Sequence, residues 1–118
     1  MAASKYSIRI EQGATFALPI TWKAGTSAVP VDLTGRTARM DIRAKLTDTA
    51  VLLSLTTENG RITLGTTDGV ITLHLTAIET AALTWNTGVY DLEIVASPGD
   101  VTRLLKGSVT VSPEVTRD

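Results

Sequence analysis

The stretch GVYDLEIVASPGDVTRLLKGSVTV, residues 88–111, predicts two β-strands joined by a tight turn. Successive side chains of a strand point to opposite faces, so the segment YDLEI places its apolar residues on one face and Asp91 and Glu93 on the other. The SPGD sequence at 97–100 has turn chemistry, because proline presets φ and glycine tolerates positive φ. These patterns together predict a β-hairpin with one apolar face.

The returning strand of this hairpin alternates less regularly. Leu104 and Leu105 are adjacent, and Gly107 beside them is a position where a β-bulge would re-aim the side chains. A strand buried on both faces explains the doublet equally well, because short apolar runs do not settle periodicity. Both interpretations stay open from the sequence.

The composition favours one mostly β domain. The chain has 118 residues, enough for a single core, and it is rich in the β-branched residues Thr, Val and Ile. Its 11 Lys and Arg against 12 Asp and Glu lack the basic footprint of a nucleic-acid-binding protein. There is no cysteine, which excludes disulfides and thiolate metal sites. No apolar run approaches the ~20 residues of a membrane span, and no secretory signal is apparent.

Further strands are predicted on both sides of a turn-rich segment. Alternation marks strands near residues 6–10, 16–22 and 38–43. Pro19 cannot donate a ladder hydrogen bond, so its strand is expected at a sheet edge or to be interrupted there. The segment between these strands, 23–35, is turn-rich, with an Asx-type turn beginning at Asp32.

The second half of the chain predicts more turns and one helix. The Asn59–Gly60 pair is the strongest short hairpin signal, and it predicts that the strands before and after it pair. Thr76 and Glu79 have the spacing of a capping box, which predicts a short helix of about two turns before Gly88. We therefore expect an N-terminal arm at 1–5, a β-sandwich domain at 6–111 and a C-terminal arm at 112–118.

Catalysis, metal binding and cofactor binding are not expected. His74, the only histidine, falls on the polar face of its strand, and no nucleophile elbow or phosphate-binding loop occurs. Asp91 and Glu93 are interpreted as a solvated strand face rather than as metal ligands. Trp22 and Trp85 are the tryptophans that a carbohydrate site would use, and Trp85 is the best candidate for an interface anchor.

The order of several segments resembles that of small virion proteins of tailed phages. These segments are QGATF at 12–16, PVDLTG at 30–35 leading into ARMDIR, GVITLHLTAIETAAL at 69–83, VYDLEI, and RLLKGSVTVSPEVTR at 103–117. The chain is also similar, from about Ile8 to Arg117, to the N-terminal domain of phage baseplate upper proteins. This resemblance implies an immunoglobulin-like antiparallel β-sandwich, a homo-oligomer such as a trimer, and no catalytic residues.

Three functional hypotheses stay open. The first is a non-enzymatic adaptor of the tail or baseplate, made in the cytoplasm of an infected bacterium and incorporated into the virion beside other virion proteins. A baseplate upper protein continues into receptor-presenting segments, whereas this sequence ends soon after its last strand, which keeps a head decoration or cement protein open. The third is a carbohydrate- or receptor-binding domain. The candidate interface residues are Pro19, Pro30, Asp32, Trp85 and Arg117.

Overall fold

The computed structural model describes residues 3–116. In chain order its elements are β1 (Ser4–Lys5), β2 (Ile8–Glu11), β3 (Phe16–Thr21), β4 (Lys23–Ala24), β5 (Val29–Pro30), β6 (Thr37–Arg43), β7 (Leu53–Thr56), β8 (Ile62–Leu64), β9 (Val70–Leu75), α1 (Ala77–Ala81), β10 (Thr87–Ala96) and β11 (Asp100–Ser112). Strands hold 52% of the described residues and the helix 4%, so the fold is all-β with one short helix, as the composition predicts.

The predicted β10–β11 hairpin is confirmed and forms the spine of the larger sheet. This six-stranded sheet has the order β1-β11-β10-β6-β7, with β2 also paired to β11. At about 3.3 Å per residue, β11 alone spans roughly 40 Å, close to the longest extent of the protein, 46 Å. The register shifts after Leu92, which faces Leu105, while Glu93 faces Arg103. Leu104 is therefore the extra residue of a bulge, which lies at the leucine doublet rather than at Gly107.

Gly107 has a different role, because it permits a close approach of the N-terminal segment. A Cβ at this position would collide with the backbone of Tyr6, which passes over it between β1 and β2. The buried phenol of Tyr90 donates to the Tyr6 carbonyl at 2.7 Å. Burial raises the pKa of Tyr90 to about 12. The segment between β1 and β2 is thus held against the sheet at Gly107 and Tyr90.

The prediction of purely antiparallel sheets is wrong for the N-terminal strands. Both β1 and β2 run parallel to β11, with Ser4 opposite Leu105 and Ile8 opposite Val109. Parallel neighbours need a long connection, and here the body of the domain lies between them in sequence. Ser4 and Lys5, expected to belong to a terminal arm, are held at the sheet as β1.

The smaller main sheet has the order β3-β9-β8, and β3 lies at its edge. This confirms the edge position predicted from Pro19. Trp22 N donates to Gly69 O at 2.8 Å. Because strand residues alternate between their two edges, Pro19 belongs to the set whose backbone groups point away from β9. The missing N–H therefore costs the sheet no hydrogen bond.

The hairpin predicted at Asn59–Gly60 is wrong. The strand before this turn, β7, pairs with β6, whereas the strand after it, β8, pairs with β9 in the other sheet. The turn therefore carries the chain from one sheet to the other. Asn59 stabilises the corner with its side chain, which accepts from Thr56 N and Arg61 N and donates to Ser54 O, all at 3.0 Å. Turn chemistry indicates a reversal but does not select the partner strand.

Both main sheets contribute to one hydrophobic core. It joins Met40, Ile42 and Leu92 of the larger sheet to Ile71 and Leu73 of the smaller one. The capping box before α1 is confirmed: Thr76 Oγ1 accepts from Glu79 N at 3.1 Å, and Glu79 Oε1 accepts from Thr76 N at 2.8 Å. The helix thereby starts where the sequence predicts, and Thr80 within it is fully buried.

Candidate functional site

Within residues 3–116, the side chains that could act in catalysis or bind a metal do not form a cluster. No group of three or more His, Asp or Glu side chains there has metal-binding geometry. His74 is half-buried in β9, and its backbone N–H donates to Arg61 O at 2.8 Å. The candidate functional features are therefore surfaces, edges and projecting segments.

Trp85 lies in the loop after α1, where it is half-buried and packs against the core. Beside it is an open cavity of about 350 Å³ that is also lined by Gln12, Ala81 and Pro113. A partly exposed tryptophan beside a cavity is typical of residues that anchor a protein–protein contact. Its partial packing in the core also gives it a structural role.

Gln12 ties the surroundings of Trp85 together. Its side-chain amide donates to Leu83 O at 3.0 Å, and its Oε1 accepts from Glu114 N at 2.8 Å. In the same region Val111 N donates to Asn86 O at 2.8 Å. The segment that follows β11 is thus held against the body of the domain at least as far as Glu114.

The Lys23–Pro30 hairpin is a second candidate surface. Its strands, β4 and β5, form a small sheet separate from the two main sheets, with Lys23 opposite Pro30 and Ala24 opposite Val29. All its residues are exposed, and Val29 is 59% exposed. The hairpin is ordered by backbone hydrogen bonds without contributing to the core.

Asp32 supports the chain where it returns from this hairpin. Its carboxylate accepts from Thr34 N at 2.9 Å, which confirms the predicted Asx-type turn. Hydrogen bonds from Thr34 hold the pKa of Asp32 below its usual range. Its carbonyl accepts from Arg36 Nε at 3.2 Å, and the Arg36 guanidinium lies 5.6 Å from the centre of the Trp22 ring. Asp32 is exposed and satisfied locally, so its present role is to shape the turn.

The predicted interface residues do not form one cluster. Pro30 and Asp32 lie beyond the end of β3, at the hairpin, while Trp85 shares its cavity with Gln12, which precedes β3. The six residues of β3 separate these two regions by about 20 Å. Pro19 is exposed on β3 between them. Arg117 lies outside the described residues.

Two free sheet edges carry features that hinder the addition of another strand. At β3, Pro19 removes one outward N–H donor. At β7, Thr57 N donates to Ala38 O at 3.1 Å, so strand alternation leaves Ser54 and Thr56 facing the free edge. Asn59 occupies the Thr56 amide and the Ser54 carbonyl, and Arg61 also donates to that carbonyl at 2.9 Å. The sequence predicted the role of Pro19 at the edge of β3, but it did not predict that Asn59 would occupy the edge of β7.

A charged concave face on the larger sheet was not predicted. It encloses about 810 Å³ and includes the outward residues of β6, β10 and β11 together with Tyr6. Asp41 lies directly opposite Asp91 in the strand register. Ion pairs offset this repulsion: Arg103 Nε lies 3.4 Å from Asp91 Oδ2, and Arg43 Nη2 lies 3.5 Å from Asp41 Oδ2. Cross-strand register creates the cluster, which the separate strands did not reveal.

Asp91 is a half-buried carboxyl of this face. Its pKa is raised, first by burial and then by the charge of Glu93, with Arg103 acting in the opposite direction. Glu93 accepts from Arg39 Nε at 2.8 Å. The interpretation of Asp91 and Glu93 as a solvated strand face therefore needs refinement, because both are half-buried and ion-paired.

Comparisons with known proteins do not identify a family. No protein-family model matches the chain, and no curated protein matches it significantly. Within residues 3–116, no helix has both the length and the apolar character needed to cross a membrane.

Proposed function

We propose that this protein is an immunoglobulin-like β-sandwich and a non-enzymatic structural protein of a tailed-phage virion. In this proposal it is an adaptor of the tail or baseplate that joins other virion proteins through protein–protein contacts. The phage context is drawn from the order of the sequence segments. Two sheets sharing one core support the sandwich architecture.

The observation that carries the adaptor role is the Lys23–Pro30 hairpin. The hairpin contributes no residue to the core, so a partner can cover it without disturbing the packing of the domain. Covering Val29 would also remove exposed apolar surface from water. A partner that buries this hairpin gains apolar contact and needs no rearrangement of the domain. Pro30 and Asp32 shape the base of the hairpin and are proposed to support the same contact.

Assembly in many copies makes a small contact sufficient. A homo-oligomer, which the resemblance implies to be a trimer, would present several hairpins together. Each tethered contact then binds at high effective concentration, so weak contacts add up to stable incorporation. The proposed partners are other virion proteins, and the proposed location is the virion after synthesis in the bacterial cytoplasm.

Incorporation of point variants into phage particles tests this role. Val29→Asp adds a charge to the exposed hairpin, and Val101→Asp is the matched control at another exposed valine, which is 47% exposed. We expect both variants to keep the wild-type thermal midpoint and only Val29→Asp to lose incorporation, measured by mass spectrometry of purified tails and heads.

The fraction that contains the protein separates the alternatives. Wild-type protein on purified tails supports the adaptor, whereas protein on purified heads favours a head decoration or cement protein. Equal incorporation of both variants would remove the hairpin as the contact. Absence of the wild-type protein from every particle fraction would overturn the virion role.

The concave charged face favours carbohydrate or receptor binding as a second candidate. Tyr6 is 45% exposed beside this face, while Trp22 and Trp85 both pack against the core. A sugar would therefore stack on Tyr6 and hydrogen-bond to the charged side chains. A glycan array with wild type and Tyr6→Ala checks this: glycan binding that Tyr6→Ala abolishes favours it, and no binding removes it.

A further inference from the structure

The outer edge of β2 lacks the features that hinder strand addition at β3 and β7. It has no proline, and none of the side-chain hydrogen bonds among the described residues occupies the backbone groups of Arg9. Edge strands with unpaired backbone groups are templates for pairing with another chain. The edge of β2 is therefore a candidate site for an added strand.

The backbone geometry identifies which groups point outward. Tyr6 N donates to Lys106 O at 2.9 Å and Gln12 N donates to Ser112 O at 3.0 Å, on either side of β2. The register is constant between these points, so Ile8 and Ile10 also direct their backbone groups at β11. The N–H and C=O groups of Arg9 and Glu11 consequently point away from β11, and the Glu11 carbonyl already accepts from Ala14 N at 3.2 Å in the turn after β2.

The side chains beside these groups carry opposite charges. Arg9 and Glu11 share the exposed face of β2, with side chains 67% and 60% exposed. Within the chain they form an ion pair at 2.9 Å, which at this exposure contributes little to stability. The order of the charges makes the edge complementary to itself when it is turned around.

We infer that β2 pairs antiparallel with β2 of a second copy of this chain, with Arg9 of each copy opposite Glu11 of the other. Each Arg9–Glu11 pair exchanges two backbone hydrogen bonds, in which the Glu11 carbonyl uses its second lone pair beside the bond from Ala14 N. Each pair also sets opposite charges side by side. Ile10 of the two copies lies on the two-fold axis. The two six-stranded sheets join edge to edge.

Charge selects this register from its neighbours. Outward backbone groups meet only when odd-numbered residues of the two copies face each other. Moving the partner by two residues in one direction places Arg9 opposite Arg9, and in the other direction Glu11 opposite Glu11. Like charges directly opposite each other are destabilising, so both neighbouring registers are disfavoured.

The pairing rests on the proposed assembly role and identifies its contact between copies. It is an isologous two-fold contact, because the same edge is used by both copies. Such a contact is compatible with a trimer formed through another surface, since dihedral assemblies combine two-fold and three-fold axes. The strand contact is short, so it gives a weak dimer in solution.

Charge reversal tests the register directly. In Arg9→Glu both residues are acidic, and in Glu11→Arg both are basic, so each variant repels itself. Replacing two attractive cross-strand pairs by two repulsive ones weakens the dimer about 30-fold. A mixture of the two variants, and separately the double reversal Arg9→Glu/Glu11→Arg, restores opposite charges at every pair. Lys45→Glu is the control reversal at an exposed residue of the loop after β6, away from β2 and from the Lys23–Pro30 hairpin.

Sedimentation velocity over a concentration series measures these effects. We expect dimerisation of the wild type, the Lys45→Glu control, the double reversal and the mixture, and loss of dimer in each single reversal alone. A wild type that stays monomeric at millimolar concentration overturns the inference. A dimer that both single reversals leave unchanged also overturns it, since the contact then lies elsewhere.

Amide hydrogen exchange reports the backbone contact independently of charge. The Arg9 and Glu11 amides should exchange quickly in dilute protein and slow down at concentrations that populate the dimer, while the Ile10 amide is protected throughout. Unprotected Arg9 and Glu11 amides in a populated dimer would refute strand pairing.

Incorporation into particles separates this inference from the proposed function. If the wild type dimerises as described but enters no particle, the assembly role fails and the strand pairing stands. If the wild type enters particles but remains monomeric in solution and unprotected at Arg9, the pairing fails and the assembly role stands.

Discussion

Replacement of Glu79 is expected to weaken the fold through two contacts at once. One carboxylate oxygen accepts from Thr76 N in the capping box, and the other accepts from Arg61 Nε at 2.8 Å. The Arg61 side chain also donates to Ser54 O, so Glu79 connects the helix start to the corner between the sheets. The loss therefore exceeds that of an ordinary cap.

The magnitude follows from these contacts. Loss of the capping contact costs about 1 kcal/mol. The ion pair with Arg61, whose partners are 29% and 30% exposed, adds roughly 0.5 to 1 kcal/mol after solvent screening. Glu79→Ala should lower the free energy of unfolding by about 1.5 to 2 kcal/mol. Glu79→Gln, which keeps an acceptor for Thr76 N, should lose about half as much.

The pH dependence gives this prediction a second measurement. Hydrogen bonds from Thr76 and then Arg61 hold the pKa of Glu79 below its usual range in the folded protein. A depressed folded pKa contributes stability that is present above the unfolded pKa of about 4.3 and disappears as the pH falls through the folded value. The stability gap between wild type and Glu79→Gln should therefore be full at pH 7 and shrink below pH ~4.

Urea denaturation from pH 7 to pH 3 measures both quantities. Glu58→Ala is the matched control, because it removes an exposed carboxylate from the corner between β7 and β8, and it should change stability by less than about 0.5 kcal/mol. Equal midpoints for wild type and Glu79→Ala would refute the two-contact account. A Glu79→Gln gap that persists unchanged at pH 3 would refute its electrostatic part.

Three further substitutions should act through buried contacts, each checked by urea denaturation. Thr80 is fully buried, and its hydroxyl accepts from Gly13 N at 3.0 Å and donates to Ala14 O at 2.9 Å. Thr80→Val should therefore lower the free energy of unfolding by about 2 kcal/mol. An equal loss of stability in the exposed control Thr110→Val would contradict this. Gly107→Ala should cost about 1 to 3 kcal/mol because its Cβ meets the Tyr6 backbone, and a neutral result would mean that the segment moves freely. Tyr90→Phe removes the hydrogen bond to the Tyr6 carbonyl and should lower the free energy of unfolding by about 1 kcal/mol. An unchanged denaturation midpoint would show that water replaces the phenol.

Local chemistry made part of the candidate surfaces predictable. Pro19 indicated an edge strand because a missing N–H is tolerated only where no ladder bond is needed. Asp32 indicated its turn through its own side chain, and both predictions are confirmed. The concave charged face could not be predicted from the sequence, because Asp41 and Asp91 are 50 positions apart in the chain and meet only through the register of β6 and β10.

Features that depend only on neighbours in the chain follow directly from the amino-acid sequence. Alternation determined the β10–β11 hairpin, and the spacing of Thr76 and Glu79 determined the start of α1, because strand facing and helix capping are satisfied within a few residues. Tertiary structure alone decided that the Asn59 turn crosses between sheets and that β2 lies parallel to β11. The backbone hydrogen bonds of a strand are the same for any partner, so the choice is made by how the apolar faces of distant segments share one core.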